Sequence, residues 1–278
     1  MSTDTHPPAA DRRGPARRGG AGMDWFFRLL RWIGSHVRGF HAAVGVFLVA
    51  GLGVVLAGGM AFGAIARAVS RGRTQAIDES ILRWVNAHAS PALDVAALEV
   101  TALGGGLVVW VLALVSGVFL WQTKHRYSAA LIVVALVGSG LINSSMKLAF
   151  DRPRPSVFEW RTTHVGLSSF PSGHAMTSMV VYATLAYLVA RLEPTPLLRR
   201  LTYLLAGTII VGIGLSRLYL GVHYPSDVLA GFTTGLAWAA TCALGMEAVR
   251  YFRHRKPEVA QVEKDLNAEE ERAVGVRE

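Results

Sequence analysis

Long apolar runs separated by short polar strings make up the chain beyond residue 41. A helix needs about 20 apolar residues to cross a bilayer. Six stretches are read as such spans: 42–66, 100–121, 128–147, 173–190, 202–221 and 226–249. Several carry Gly, Ala or Ser at three- or four-residue spacing, which lets helices approach closely. Residues 68–98 form the longest connection, with a helix starting at Asp78 and Ile81, Leu82 and Val85 along one side, able to lie flat beside a site. Ahead of the first run, residues 23–41 place Phe26, Leu29, Leu30, Ile33, Val37 and Phe40 opposite Arg28, Arg31, Ser35 and Arg38. That pattern predicts an amphipathic helix in the membrane interface. Residues 1–22, with Pro7, Pro8 and Pro15, read as a disordered basic tail. Residues 250–278 read as a charged, solvated tail. The first run begins too late and runs too long for a cleaved leader, so a retained anchor is expected. The expected fold is all-α: a polytopic membrane bundle of six transmembrane helices spanning 42–249.

Composition agrees with a membrane protein. Hydrophobic residues make up 52% and charged residues 17%, with a mean hydropathy of +0.37. The net charge of +9 resides in tails and short loops, with no basic stripe interleaved with aromatics. Anionic membrane lipid is therefore the expected partner and nucleic acid is not. The single cysteine, Cys242, excludes an intramolecular disulfide or a cysteine metal cluster. With six spans, the face holding both tails and the 122–127 and 191–201 loops carries sixteen Lys and Arg near the membrane, against eight on the other. The positive-inside rule then makes both termini cytoplasmic.

Three polar strings remain: KLAFDRPRP (147–155), PSGH (171–174) and SRLYLGVHYPSD (216–227). All fall at the extracytoplasmic ends of spans three to six. Charges beside a membrane span are costly, which makes them functional candidates. Lys147, Arg154 and Arg217 are cations suited to phosphate oxygens, bidentately for the guanidiniums. Arg152 and Arg161 read instead as cations snorkelling to the interface. Ser172 and Gly173 open a helix whose N–H groups face an anion, with the Ser172 hydroxyl as a further donor. His174 is placed to protonate a leaving oxygen. Pro225 starts the last span, so Asp227 lies in its first turn and can accept a hydrogen bond from Nδ1 of His223. That leaves Nε2 of His223 free to attack phosphorus. Each string alone also reads as a plain helix start or cap; only their coincidence points to a site.

Lys147 with Arg154-Pro155, then PSGH, then Ser216-Arg217 with His223 and Asp227 resembles the complete signature of the type 2 phosphatidic acid phosphatases. That superfamily also holds soluble bacterial acid phosphatases, glucose-6-phosphatase and vanadium haloperoxidases. The resemblance implies an all-helical bundle and hydrolysis needing neither metal nor cofactor. It implies His223 as the nucleophile forming a phosphohistidine, Asp227 as its orienting partner, and His174 as acid and then base. Lys147, Arg154, Ser172, Gly173 and Arg217 would hold the phosphate. The six-span form resembles bacterial membrane lipid phosphatases, whose substrates include undecaprenyl pyrophosphate, phosphatidylglycerol phosphate and phosphatidic acid. No obligate protein partner is implied. Other readings are a lipid phosphotransferase, sharing the first chemical half, a non-catalytic lipid-binding relative, and a haloperoxidase. Loops 68–98 and 156–170 are expected to build the acceptor pocket; within the second, residues 157–170, with Trp160, Arg161 and His164, read either as a roof that selects head groups or as packing.

Overall fold

The computed structural model describes residues 40–275 apart from 164, 165 and 167, with side chains from 43 to 253. The expected 1–22 tail, nearly all of the 23–41 helix and His164 lie outside those residues. Eight helices follow in order among the described residues: α1 Phe40–Ser70, α2 Gln75–Ala87, α3 Pro91–Ala102, α4 Gly106–Gln122, α5 Arg126–Ala149, α6 Gly173–Ala190, α7 Pro196–Tyr219 and α8 Pro225–Gly275. Among the described residues there is no strand.

Their boundaries follow local chemistry. Pro91 and Pro196 occupy first-turn positions, where no N–H is needed. Before them, Ser90 and Thr195 accept hydrogen bonds from Leu93 N and Leu198 N as N-caps. Among the described residues, five helices are long and apolar enough to span a membrane: α1, α5, α6, α7 and α8 up to Arg253. The sixth is a bent pair, α3 and α4, meeting at 44°. The expected span at 100–121 therefore breaks at Leu103–Gly105, where Gly104, Gly105 and Gly106 leave three successive positions without helix-favouring side chains. α8 also continues as helix to Gly275, through residues expected to form a tail.

α6 is the hub, packed on α5, α7 and α8, while α1 packs on α8 and α3 on α7. Half of the most apolar stretch of α6 is buried, against 6% for α1. α1 instead turns Leu48, Val49, Leu52 and Met60 outward. An apolar surface of this extent is what lipid covers.

Close approach of α6 and α8 depends on two glycines one turn apart. A Cβ on Gly231 would stand 2.6 Å from the Ser172 carbonyl oxygen, and one on Gly235 would stand 2.7 Å from that of Met176. These positions bring the start of α8 against the start of α6. Gly221, at φ +77°, makes the turn that carries the chain from α7 back towards α8. The three polar strings thereby converge at one end of the bundle.

Candidate active site

His223 sits in that turn and is almost fully buried, at 2% exposure. Its Nε2 lies 3.4 Å from Nη1 of Arg154. Its Nδ1 faces Oδ2 of Asp227 at 3.6 Å. That separation exceeds a hydrogen bond, and Nδ1 has no hydrogen-bond partner within the protein. The expected Asp227–His223 bond is thus not made here. The Asp227 carboxylate is committed elsewhere: Oδ2 accepts from Tyr224 N at 2.8 Å and Oδ1 from Arg152 Nη1 at 2.6 Å. Burial pushes the His223 imidazole down to about 4, opposed by the nearby Asp227 carboxylate and reinforced by Arg154 and Arg217. At neutral pH the ring is therefore uncharged.

The cations surround it from two of the three strings, Lys147 and Arg154 from the first and Arg217 from the third. Arg154 donates Nε to Gly166 O at 2.6 Å, Nη1 to Val222 O at 2.6 Å and Nη2 to Ser168 O at 3.3 Å. Burial lowers its pKa, and Asp227 acts in the opposite sense. Lys147, in the last turn of α5, has its Nζ 3.5 Å from Ser168 O. Arg217, 6% exposed, donates Nη1 to Thr101 Oγ1 at 3.0 Å, while its Nε has no partner within the protein. His174 lies within electrostatic reach of Arg217, His223, Lys147 and Arg154. All the reactive side chains expected from the sequence are thus brought to one place. Three cations beside an uncharged imidazole are an arrangement that can hold an anion.

Ser172 has a second duty. Its hydroxyl is fully buried and accepts from Ala175 N as the N-cap of α6, while its own N–H donates to Asp227 O at 3.1 Å. The hydroxyl can still donate, as expected, but it also fixes the helix. Gly173 leaves room for Asn143, whose Nδ2 would stand 3.0 Å from a Cβ there. Among the described residues, no group of three or more His, Cys, Asp or Glu is placed to hold a metal ion.

Two arginines assigned to snorkelling do something else. The Arg152 side chain is only 10% exposed and bridges Asp78 at 2.9 Å and Asp227 at 2.6 Å. Arg161 donates to Tyr219 O at 2.8 Å and pairs with Asp94 at 3.4 Å and with Asn86. Asp78 does not start its helix, since Thr74 holds the N-cap position; it lies in the first turn and is buried. The sequence held a signal for it. Asp78, Leu82 and Val85 share one face of α2, and a carboxylate on an apolar face needs a buried partner. Trp160 donates to Pro155 O at 2.7 Å, beside Arg154.

Comparison with known proteins adds the following. The family model of the PAP2 superfamily matches residues 128–251. Phosphatidylglycerophosphatase B of Bacillus subtilis is 32% identical over 173 residues, 62% of this chain and 84% of that protein. A lipid A 1-phosphatase of Rhizobium etli is 32% identical over 114 residues, 38% of this chain and 45% of its own length. The crystal structure of a transmembrane PAP2-type phosphatidylglycerolphosphate phosphatase from Bacillus subtilis superposes with a TM-score of 0.64 at 29% identity. It covers 68% of this chain and 93% of that one. With this fold, this match and relatives that are phosphatases, the chain is a multi-pass membrane phosphoric ester hydrolase and belongs to the PAP2 superfamily.

Proposed function

We propose that the chain hydrolyses a lipid phosphate or diphosphate through a phosphohistidine on His223, at the extracytoplasmic face of the membrane. The observation that carries this reading is the setting of one ring: a buried, uncharged imidazole whose Nε2 faces Arg154 and whose Nδ1 faces Asp227. Nε2 attacks phosphorus and the bond to the lipid oxygen breaks. That oxygen takes its proton from His174, leaving a phosphohistidine and a neutral alcohol or lipid monophosphate. Water then attacks the phosphorus, giving a proton to His174 as the N–P bond breaks, and inorganic phosphate leaves with both histidines restored. Asp227 supports the positive ring during transfer; a movement of about half an ångström brings Nδ1 into hydrogen-bond range. Lys147, Arg154, Arg217 and the start of α6 hold the equatorial oxygens, where negative charge is spread in the transition state.

The substrate is a membrane lipid with a terminal phosphate: phosphatidylglycerol phosphate, phosphatidic acid or undecaprenyl pyrophosphate. A named phosphatidylglycerophosphatase among the relatives supports the first of these. The cytoplasmic placement of both termini rests on the excess of Lys and Arg on their face. The catalytic bundle spans 42–249, with a cytoplasmic extension from 250. The test is phosphate release by purified protein from a panel of prenyl, glycerol and sphingoid phosphates with EDTA present, followed by acid quench. Release with an acid-labile phosphoprotein that His223→Ala abolishes is expected. Wild-type-like turnover in His223→Ala overturns the covalent route, and phosphate passing to a lipid acceptor in place of water makes the chain a transferase.

A further inference from the structure

We propose that Asp78 and Arg152 are positioning residues for this hydrolysis: Arg152, held by Asp78 of the side helix α2, fixes the Asp227 carboxylate and, through it, the ring of His223. The proposal rests on the phosphohistidine reading above and adds two residues outside its signature.

The geometry is closed on every side. Arg152 Nη1 donates to Asp227 Oδ1 at 2.6 Å and Ser226 Oγ at 2.8 Å. Its Nη2 donates to Asp78 Oδ2 at 2.9 Å and Gln75 Oε1 at 3.1 Å. The guanidinium lies over the Tyr224 ring, 4.0 Å from its centroid. Asp78, 2% exposed, accepts from Ser226 N at 3.0 Å and from Ser226 Oγ at 2.6 Å. Asp78 thus holds both the cation and the first turn of α8, from which Asp227 projects. With Oδ1 on Arg152 and Oδ2 on Tyr224 N, the Asp227 carboxylate cannot rotate. The face it turns to His223 is set before substrate arrives.

Stability does not account for this arrangement. Two carboxylates and a guanidinium withdrawn from water gain little net stability over well-packed apolar side chains. Only Asp78 and Leu82 of α2 are buried, so the polar contacts of α2 with the site run through the Gln75–Asp78 turn. The charge arithmetic also has a direction. Arg152 is shared between two carboxylates, so Asp227 keeps part of its negative field at His223. The other charged or titratable groups around that ring are Arg154 at 3.4 Å, and Arg217 and His174 within electrostatic reach, while Lys147 lies within reach of His174 and Asp227.

Removing Arg152 leaves Asp227 uncompensated and His223 more basic. Removing the Asp78 charge gives Arg152 wholly to Asp227 and makes His223 less basic. The experiment measures kcat, KM and the pH dependence of kcat/KM for wild type, Arg152→Met, Arg152→Lys, Asp78→Asn and the Asp78→Asn/Arg152→Met double variant. All are purified in detergent and checked by thermal melting, with phosphatidylglycerol phosphate in mixed micelles and EDTA present. Arg152→Met is expected to lower kcat about a hundredfold with KM changed less than about threefold, as for a misplaced reacting group. Its acid limb moves up by about one pH unit. Asp78→Asn, nearly isosteric, lowers kcat about tenfold and moves the limb down. Arg152→Lys restores part of kcat, and the double variant is no worse than Arg152→Met. Shifts in opposite directions are not produced by a general loosening of the fold. Unchanged kcat, equal shifts in both variants, or additive losses overturn the proposal. Should Arg152→Met fail to fold, the Asp78→Asn limb decides alone. Active wild type with unaffected variants refutes only the positioning role, whereas phosphate release surviving His223→Ala refutes the parent reading.

Discussion

Replacing Gly231 by alanine tests whether helix contact sets the site. The added Cβ would lie 2.6 Å from the Ser172 carbonyl oxygen, 3.0 Å from Ala175 Cβ and 3.1 Å from Met176 N. Ordinary contact begins near 3.4 Å, so α6 and α8 must part by about 0.8 Å at this level. The obstacle is backbone on the α6 side, which cannot swing aside as a side chain would. Overpacking of this kind costs about 1–3 kcal/mol. Better helix propensity returns about 1 kcal/mol, leaving a net loss of roughly 0–2 kcal/mol. The protein should therefore fold, with a small drop in melting temperature. Catalysis should suffer more, because the gap opens between the PSGH string and Asp227, one turn from Gly231 and hydrogen-bonded through its carbonyl to Ser172 N. A displacement approaching 1 Å costs up to about a hundredfold in rate, so a fall in kcat of about 10- to 100-fold is expected. Gly245→Ala in the same helix is the control: nothing lies within 4 Å of its Cβ position, and wild-type kcat is expected. The assay is phosphate release from micellar lipid phosphate beside a thermal melt of the same sample. A Gly231→Ala enzyme within threefold of wild type would refute the close-contact argument.

With the His223 pKa lowered to about 4, kcat/KM should hold well below the ordinary histidine range and fall only as acid protonates the nucleophile, a limb read by rate measurements from pH 3 to 8. The same group contributes stability that is complete above its ordinary pKa of 6.5 and lost as pH falls towards 4, which melts across that window will show. His174→Ala should lose at least tenfold more activity on a lipid phosphate than on an aryl phosphate, whose oxide leaves without a proton; equal losses would make His174 a phosphate ligand. EDTA should leave turnover within about twofold, because Lys147, Arg154 and Arg217 supply the charge that a divalent ion provides elsewhere; loss on chelation with recovery on magnesium would refute this. Glu247→Ala removes the partner of Arg191 and Tyr187 at the far end of α6, and should cost about 1 kcal/mol with kcat unchanged, read by melting and turnover together.

The legible parts of the molecule were those governed by local pattern. Apolar runs located α1 and α5 to α8, because lipid imposes length and composition on a span whatever its neighbours. Pro225 marked the start of α8, and the spacing of His223 and Asp227 placed one above the other. The break at Leu103–Gly105 was less legible: glycine permits a bend without requiring it. Arg152 was misread because a cation beside a span end looks the same whether it reaches lipid head groups or a buried carboxylate 74 residues earlier in the chain. Asp227 was assigned to His223 alone, since nothing local in HYPSD announces a competing guanidinium. Long-range polar partners lie outside any periodic signal.

Arg154 carries a further implication for turnover. Three of its N–H groups go to the carbonyl oxygens of Gly166, Val222 and Ser168, so this cation is also a strut between two distant loops. A guanidinium with all its donors free would grip inorganic phosphate, the product, as firmly as any reactant oxygen. One already engaged offers its charge in full but only part of its hydrogen-bonding capacity. On the phosphate-holding role proposed above, attraction over distance is kept while the hold at contact is tempered, so inorganic phosphate is expected to inhibit turnover only weakly.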